Sequence, residues 1–508
     1  VAKTGEIQSA ERVLRVYAVG RLGAKMEIPV YMDRRKFLAN SMVALSVVGK
    51  SSQGATLNAM GQVQPVRLNV DPERVLGVIP PDFMGLGYEI SSVARPGLLS
   101  GKNHTYVQFV RVLGVQGVIR VGGNTSDYST FSPEGQPLSA PKATVVNEAV
   151  IEDLGGFLDA TGWKLIWGLN LGRGTPQQAV EEAQVVAAAA GDNLLALEIG
   201  NEPDLFDRAH RPKGYGYAQF REEYRRYRDA VRAKLPNVPL AGPDVASKTD
   251  WVTQFAADEG RDIKLLTHHY YAEGPPENPA STLENLLRGD EKLTRILAQC
   301  RSASLSVNLP YRICETNSCF GGGKPGVSDT FASSLWGLDF LFTLASADAS
   351  GVNLETGVNH RGFISSYSPI GDDEHGNYFA KPLYYGMLAF AQASRGRRVN
   401  VQYDAGNMNV KAYAVLGEDK RLLVTLINKE ASRDVEVTIV GTRAFAAGSL
   451  LRLAAPSLES NGEVTLGGSA IAADAQWTAA RREELTTRGG EWVIALPAAS
   501  AALVTLGG

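Results

Sequence analysis

Two carboxylates sit where apolar runs give out. Leu194–Ile199 reads as a buried strand that continues into Gly200-Asn201-Glu202-Pro203, and Tyr311-Arg312-Ile313-Cys314 reaches Glu315 in the same way. Proline disfavours the helical region for the residue before it. Glu202 is therefore expected to be extended, with Asn201 and Glu202 projecting past the strand end. Singly, each has a plainer reading: Asn and Pro favour turns, and a strand-ending Glu is often an ion-pair partner. Two carboxylates facing each other across one sugar suit a specific reaction. One, protonated, assists a leaving glycosidic oxygen while the other, ionised, attacks the anomeric carbon. A separation of about 5–5.5 Å predicts retention of configuration, and about 6.5–9.5 Å predicts inversion. A negative nucleophile nearby raises the pKa of the acid and keeps it protonated.

A repeated design along the chain supplies the positioning. "FMGLGYEI" (83–90), "GVIRVGGN" (117–124), "LIWGLN" (165–170), "LLALEIGNE" (194–202), "PLAGPD" (239–244), "IKLLTHHYY" (263–271), "YRICE" (311–315) and "GVNLE" (351–355) are each an apolar run ending in polar groups. Helical patterns fall between several of them. One starts at Thr175 as N-cap with Pro176 in the first position and stops at Gly191. A second lines Phe220, Tyr224, Tyr227, Val231 and Leu235 along one face. A third covers 327–346, capped by Ser328 or Asp329. Eight buried strands alternating with helices predict parallel βα units closing into a (β/α)8 TIM barrel, which collects functional groups at the strand C-termini. A doubly wound open sheet is the alternative. In a barrel the fourth and seventh strands stand on opposite walls, so Glu202 and Glu315 face each other. From about Arg397 the pattern changes to short alternating strands, a β-sandwich signature. The strand Pro65–Val70 has no barrel role and is expected to join that sandwich. The predicted division is 61–78 and 397–508 for a sandwich built from both chain ends, and 79–396 for the barrel.

Net charge is −3 with 44% hydrophobic and 21% charged residues, so no field favours nucleic acid or a membrane surface. Three cysteines, Cys300, Cys314 and Cys319, allow one disulfide and require none. No spacing suggests a metal site. "MDRRKFLANSMVALSVVG" from Met32 reads as an export signal of twin-arginine type around Arg34-Arg35, too short to span a bilayer. The mature protein is then periplasmic or secreted, with residues 1–31 upstream of the start and residues 1–60 outside the fold.

Asn201-Glu202 after the fourth strand with Glu315 after the seventh is similar to the clan of retaining barrel glycosidases. "CETNSCFGGGKPGVSDTFASSLWGLDFL", Cys314 to Leu341, together with "HHYY" and "RVGGNTSD", resembles glycoside hydrolase family 79, which includes bacterial β-glucuronidases and the heparanases. The resemblance covers about residues 64–508 and is strongest from Glu315 to Phe331. It implies Glu202 as acid/base, Glu315 as nucleophile and Asn201 on the sugar 2-hydroxyl. Tyr271 would orient Glu315, with His269 on the same side of the strand by alternation; His268 and Tyr270 are the pair in the other register. Amides of Gly321, Gly322 and Gly323 would approach the sugar carboxylate, beside Lys324 and Tyr367. The plainer reading of those glycines is a flexible linker. Glu89 and Asn124 would meet ring hydroxyls, where related enzymes often carry Asp and Thr.

The reading is an exported retaining exo-β-glucuronidase that releases terminal β-linked glucuronic acid, 4-O-methylated or not, from glycans or glycoconjugates. It needs no metal or organic cofactor and has a carbohydrate partner only; oligomeric state is not legible. The alternatives are a neutral-sugar xylosidase or arabinofuranosidase, a heparanase-like endo-enzyme and a non-catalytic carbohydrate-binding protein. Endo action on sulfated chains usually uses basic patches, and "RRYR" on a helix is the one run found. Glu355, a third carboxylate at the mouth, is expected to be supporting rather than a rival nucleophile. Trp163, Trp167 and Trp336 are expected to be packing groups, and His360 and His375 surface residues. Strand alternation turns Cys314 away from the site as a buried thiol.

Overall fold

The computed structural model describes residues 64–133, 144–357, 365–373 and 375–508. The export-signal reading and His360 lie outside these residues. Eight parallel strands close into a barrel: β2 (Gly85–Glu89), β3 (Val118–Gly122), β4 (Lys164–Leu169), β5 (Leu194–Ile199), β6 (Leu240–Val245), β7 (Leu265–Glu273), β8 (Tyr311–Cys319) and β9 (Gly351–Glu355), with β9 pairing back onto β2. All eight apolar runs become barrel strands, and the doubly wound alternative is excluded by closure. A helix follows each strand: α1 (His104–Leu113), α2 (Glu148–Thr161), α3 (Pro176–Ala190), α4 (Tyr217–Lys234), α5 (Asp250–Glu259), α6 (Glu291–Val307), α7 (Phe331–Ser346) and α8 (Pro382–Ala393).

The helices start where local chemistry lets them. Thr175 caps α3 in a reciprocal capping box with Gln178, behind Pro176. The cap of α7 differs from expectation. Thr330 is the N-cap, because Ser328 already accepts from the Lys324 amide and Asp329 from the Gly326 amide. Phe220, Tyr224, Tyr227 and Val231 form the buried face of α4, and Leu235 packs partly buried against the same core. Trp163 and Trp167 are fully buried, Trp336 nearly so, and His375 is exposed.

Inside the barrel, period-2 alternation divides the strands by height. Val118, Ile166, Ala196, Ala241 and Leu265 form a small apolar floor. Two residues further along β3, β5 and β7 come Arg120, Glu198 and Thr267, all buried and polar. Apolar residues thus hold up a polar layer on which the mouth is built.

Outside the barrel, 129–131 pairs with 144–146 and 370–372 with 378–380, and the other strands make one sheet of eleven. In order, its main path is 465–466, β14 (Ala447–Ala454), β16 (Ser500–Gly507), β12 (Leu422–Asn428), β11 (Val410–Leu416), β10 (Arg397–Tyr403), β1 (Gln64–Val78), β13 (Val435–Val440), β15 (Glu491–Leu496) and 487–488, with 483–485 on β14. The sheet folds over its own core: a Cβ at Gly448 of β14 would lie 2.7 Å from the Trp492 ring of β15, although the two strands sit near opposite ends of the order. β1 is longer than Pro65–Val70 and pairs antiparallel with β10 and parallel with β13. The pieces of two or three residues at 465–466, 483–485 and 487–488 were not anticipated, being too short to alternate. Ile427, Leu451, Leu453, Ala501 and Leu503 face the other way and join the barrel core. Cys300, Cys314 and Cys319 are buried free thiols.

Candidate active site

The mouth is set by two departures from regular backbone. The first is at Glu202, which is not extended as Pro203 suggested. It lies in the left-handed region, at φ 50°, ψ 51°. Proline disfavours the right-handed helical region for its predecessor, and here the tertiary hydrogen bonds select the left-handed one. The Glu202 amide donates to the Asp244 carbonyl at 2.9 Å, and its own carbonyl accepts from Leu205 at 2.8 Å as the turn 203–208 begins. Such a conformation costs about 1–3 kcal/mol and persists only where the surroundings enforce it.

The second departure is a bulge in β8. Ile313 pairs with His268 and Glu315 with His269, so Cys314 is an extra residue in the ladder. Cys314 therefore does not point away as alternation required. It remains buried, but its thiol turns inward and donates to Asp244 Oδ1 at 2.9 Å, while Glu315 is delivered to the mouth.

Beneath the pair lies a buried charge network. Arg120 donates to Glu315 Oε2 (2.6 Å), Asp244 Oδ2 (2.6 Å), Asn201 Oδ1 (2.9 Å) and Glu198 Oε2 (3.2 Å). His269 bridges Glu202 Oε1 through Nδ1 (3.1 Å) and Asp244 Oδ1 through Nε2 (2.6 Å), and its Nδ1 is 3.8 Å from Glu315 Oε2. Burial opposes charge on His269, but Asp244 and Glu315 outweigh it and lift the imidazole well above its usual value. Burial likewise opposes the Asp244 carboxylate, yet Arg120 and His269 hold it well below the usual range. Burial raises Glu202, against the hydrogen bond from His269. Glu198 is pushed up to about 7 by burial and by Asp244. One oxygen of Glu202 and one of Glu315 lie within 4.8 Å of each other and of His269. The sets Glu202/His269/Glu315 and Asp244/His269/Cys314 have metal-ligand spacing. However, Arg120 already places a cation against Asp244 and Glu315, and both His269 nitrogens face carboxylates.

The other expected residues gather around this centre. The Tyr271 hydroxyl donates to Glu315 Oε1 at 3.0 Å, so β7 uses the His269/Tyr271 register; His268 and Tyr270 bond outward to Thr249 and Asp290. The Tyr367 ring stacks on Tyr271 at 6.3 Å. Gly321, Gly322 and Gly323 all have positive φ, and the Gly322 carbonyl accepts from Ser366 and Tyr367. A Cβ at Gly323 would lie 2.6 Å from the Tyr367 nitrogen, so the loop is held tightly there and is no flexible linker. The Asn201 Nδ2 is buried with no acceptor among the described residues.

Three residues sit differently from a simple ligand contact. The Lys324 ammonium donates to the carbonyls of Asn278 (3.1 Å) and Ser281 (2.9 Å). Glu89 accepts from the amides of Asn124 (3.1 Å) and Thr125 (2.8 Å) and from the Thr125 hydroxyl, and is pushed up to about 7 by burial and Glu315. Asn124 is exposed and meets Glu89 through its backbone. Arg120, Asp244 and Glu198 belong to this charge network and are residues that sequence reasoning passed over. Their signal was a lone charge within, or at the end of, an apolar run, where alternation turns it inward.

No protein-family model matches the chain. The β-glucuronidase of Aspergillus niger is 27% identical over 392 residues, 68% of this chain and 69% of that protein. Mouse heparanase is 23% identical over 354 residues, 58% of this chain and 65% of that protein. Among solved structures, a 4-O-α-L-rhamnosyl-β-D-glucuronidase from Fusarium oxysporum superposes with a TM-score of 0.71 at 21% identity, covering 87% of this chain and all of that one.

Proposed function

Taking as premise that this chain is a glycoside hydrolase related to the β-glucuronidases and heparanases of family 79, we propose that it is a retaining exo-β-glucuronidase. The observation that carries the mechanism is the approach of Glu202 and Glu315 oxygens to within 4.8 Å. So close an approach supports direct attack on the anomeric carbon over attack through an interposed water. Glu315 attacks while Glu202 protonates the leaving oxygen; Glu202 then takes a proton from the water that cleaves the glycosyl-enzyme. The upward shift of Glu202 supports its acid role. Arg120 and Tyr271, one on each oxygen of Glu315, hold it for in-line attack.

The free Asn201 Nδ2 is available to the sugar 2-hydroxyl, a contact that strengthens in the transition state. Amides of Gly321 and Gly322, with Tyr367, are the proposed receptors for the uronate carboxylate; the Gly323 amide already donates to the Cys319 carbonyl at 3.1 Å. Lys324 helps by fixing the loop and adding positive charge nearby. All reacting groups are side chains, so the chemistry calls for no metal or organic cofactor. The charged and then apolar run from Met32 supports export.

A 2-fluoro-glucuronyl inactivator followed by peptide mapping tests the assignment. Labelling of Glu315 is expected. A label on another residue, or faster turnover of aryl xylosides than of aryl glucuronides, overturns it.

A further inference from the structure

Glu355 is a carboxyl that the proposed mechanism leaves unused. It ends β9 in register with Gly87 of β2, and its side chain points into the barrel, where a Cβ at Gly87 would collide with Oε2. Its position is fixed from behind: the Asn317 amide donates to the carbonyls of both Glu355 (2.8 Å) and Tyr367 (3.2 Å), tying β9 to the Tyr367 segment. Neither carboxyl oxygen of Glu355 has a hydrogen-bond partner among the described residues. The groups that act on it are Glu315 from β8, Glu89 and Tyr88 from β2, Arg120 from β3, His269 and Tyr271 from β7, and Tyr367. Both cations in that set are already engaged, Arg120 with four acceptors and His269 with two.

A buried carboxylate with two like charges beside it and no donor of its own is strongly disfavoured, whereas a buried carboxylic acid is tolerated. Burial and Glu315 accordingly raise Glu355 well above the usual range. The acid then carries an O–H with no acceptor among the described residues, and a buried unsatisfied group in a native protein calls for a functional or structural reason. Glu315 is itself only 4% exposed and Asn201 3%, so Glu355 at 2% matches the depth of this floor.

We infer that Glu355 is a specificity-determining residue which, as a neutral acid, donates a hydrogen bond to an oxygen of the bound acidic sugar. This rests on the glucuronidase reading. A neutral donor binds a uronate without a further negative charge beside it, and ionisation of Glu355 would expel the anion. The test is the KM–pH curve of 4-nitrophenyl β-glucuronide for the unaltered enzyme, Glu355→Gln and Glu355→Ala. The unaltered KM should climb by about tenfold or more at the alkaline end. Gln, a permanent donor, should flatten that climb. Ala should raise KM roughly tenfold at low pH, with kcat changing less than threefold. A Gln curve that tracks the unaltered enzyme, an Ala variant with unaltered KM, or a loss confined to kcat overturns the role of Glu355 and leaves the glucuronidase reading intact. No glucuronide turnover by the unaltered enzyme overturns both.

Discussion

Replacing Arg120 probes the charge network most directly. Its guanidinium is fully buried and holds three carboxylates and one carboxamide at 2.6–3.2 Å. In Arg120→Met the acids remain and the cation is gone. Removing one partner of a buried ion pair costs about 3–5 kcal/mol. Glu198, already at about 7, relieves part of this by taking up a proton, so about 4 kcal/mol is a reasonable figure. With an unfolding entropy of about 2.1 cal/mol/K per residue, that shifts the melting temperature of a fold this size by about 4 °C. A separate effect falls on catalysis. Glu315 loses a charged hydrogen bond of about 1.5–3 kcal/mol, or roughly 10- to 150-fold in kcat. Arg120→Lys should fall between, because an ammonium on one stem cannot satisfy four acceptors arranged for a planar fork. Calorimetry and glucuronide hydrolysis at several pH values measure both effects. If Arg120→Met keeps kcat within threefold of the unaltered enzyme, Glu315 does not depend on Arg120 and the reasoning fails.

Two further outcomes follow from the geometry. Gly323→Ala adds a Cβ 2.6 Å from the Tyr367 nitrogen at φ 83°, so it should displace Tyr367 and raise the glucuronide KM about tenfold or more while affecting kcat less; unchanged KM removes this loop from uronate binding. Glu182, buried and accepting from the Trp167 indole at 2.9 Å, is pushed up to about 7 by burial; since its folded pKa exceeds its unfolded one, its contribution is complete below about pH 4.5 and is lost as pH rises through about 7. Glu182→Gln should therefore gain as much as about 3 kcal/mol relative to the unaltered enzyme above pH 8, and little at pH 4; parallel stability curves across that range would contradict it.

The barrel was legible because each strand carries the same message: a run of apolar residues that stops at polar ones. Glu202 and Glu315 were legible because they stand where those runs stop. Arg120 and Glu198 were not, because in the middle of a run a charge reads as an interruption until closure shows what faces it. The inward turn of Cys314 could not be read at all. It depends on where β8 slips by one residue against β7, a matter of pairing between distant segments. Glu202 shows the same limit. Proline narrows the choices for the backbone before it, but the hydrogen bond to the Asp244 carbonyl, 42 residues away, selects among them.

The place of β1 has a consequence for biosynthesis. It is synthesised before any barrel strand, yet its neighbours β10 and β13 begin at Arg397 and Val435. At about 5–20 residues per second on the ribosome, β1 waits roughly 15–60 s for the first of them. During that time its Val66, Leu68 and Val70, all buried in the finished sheet, have no partner strand. The strands from Arg397 onward thus lock in place a strand laid down before the whole barrel.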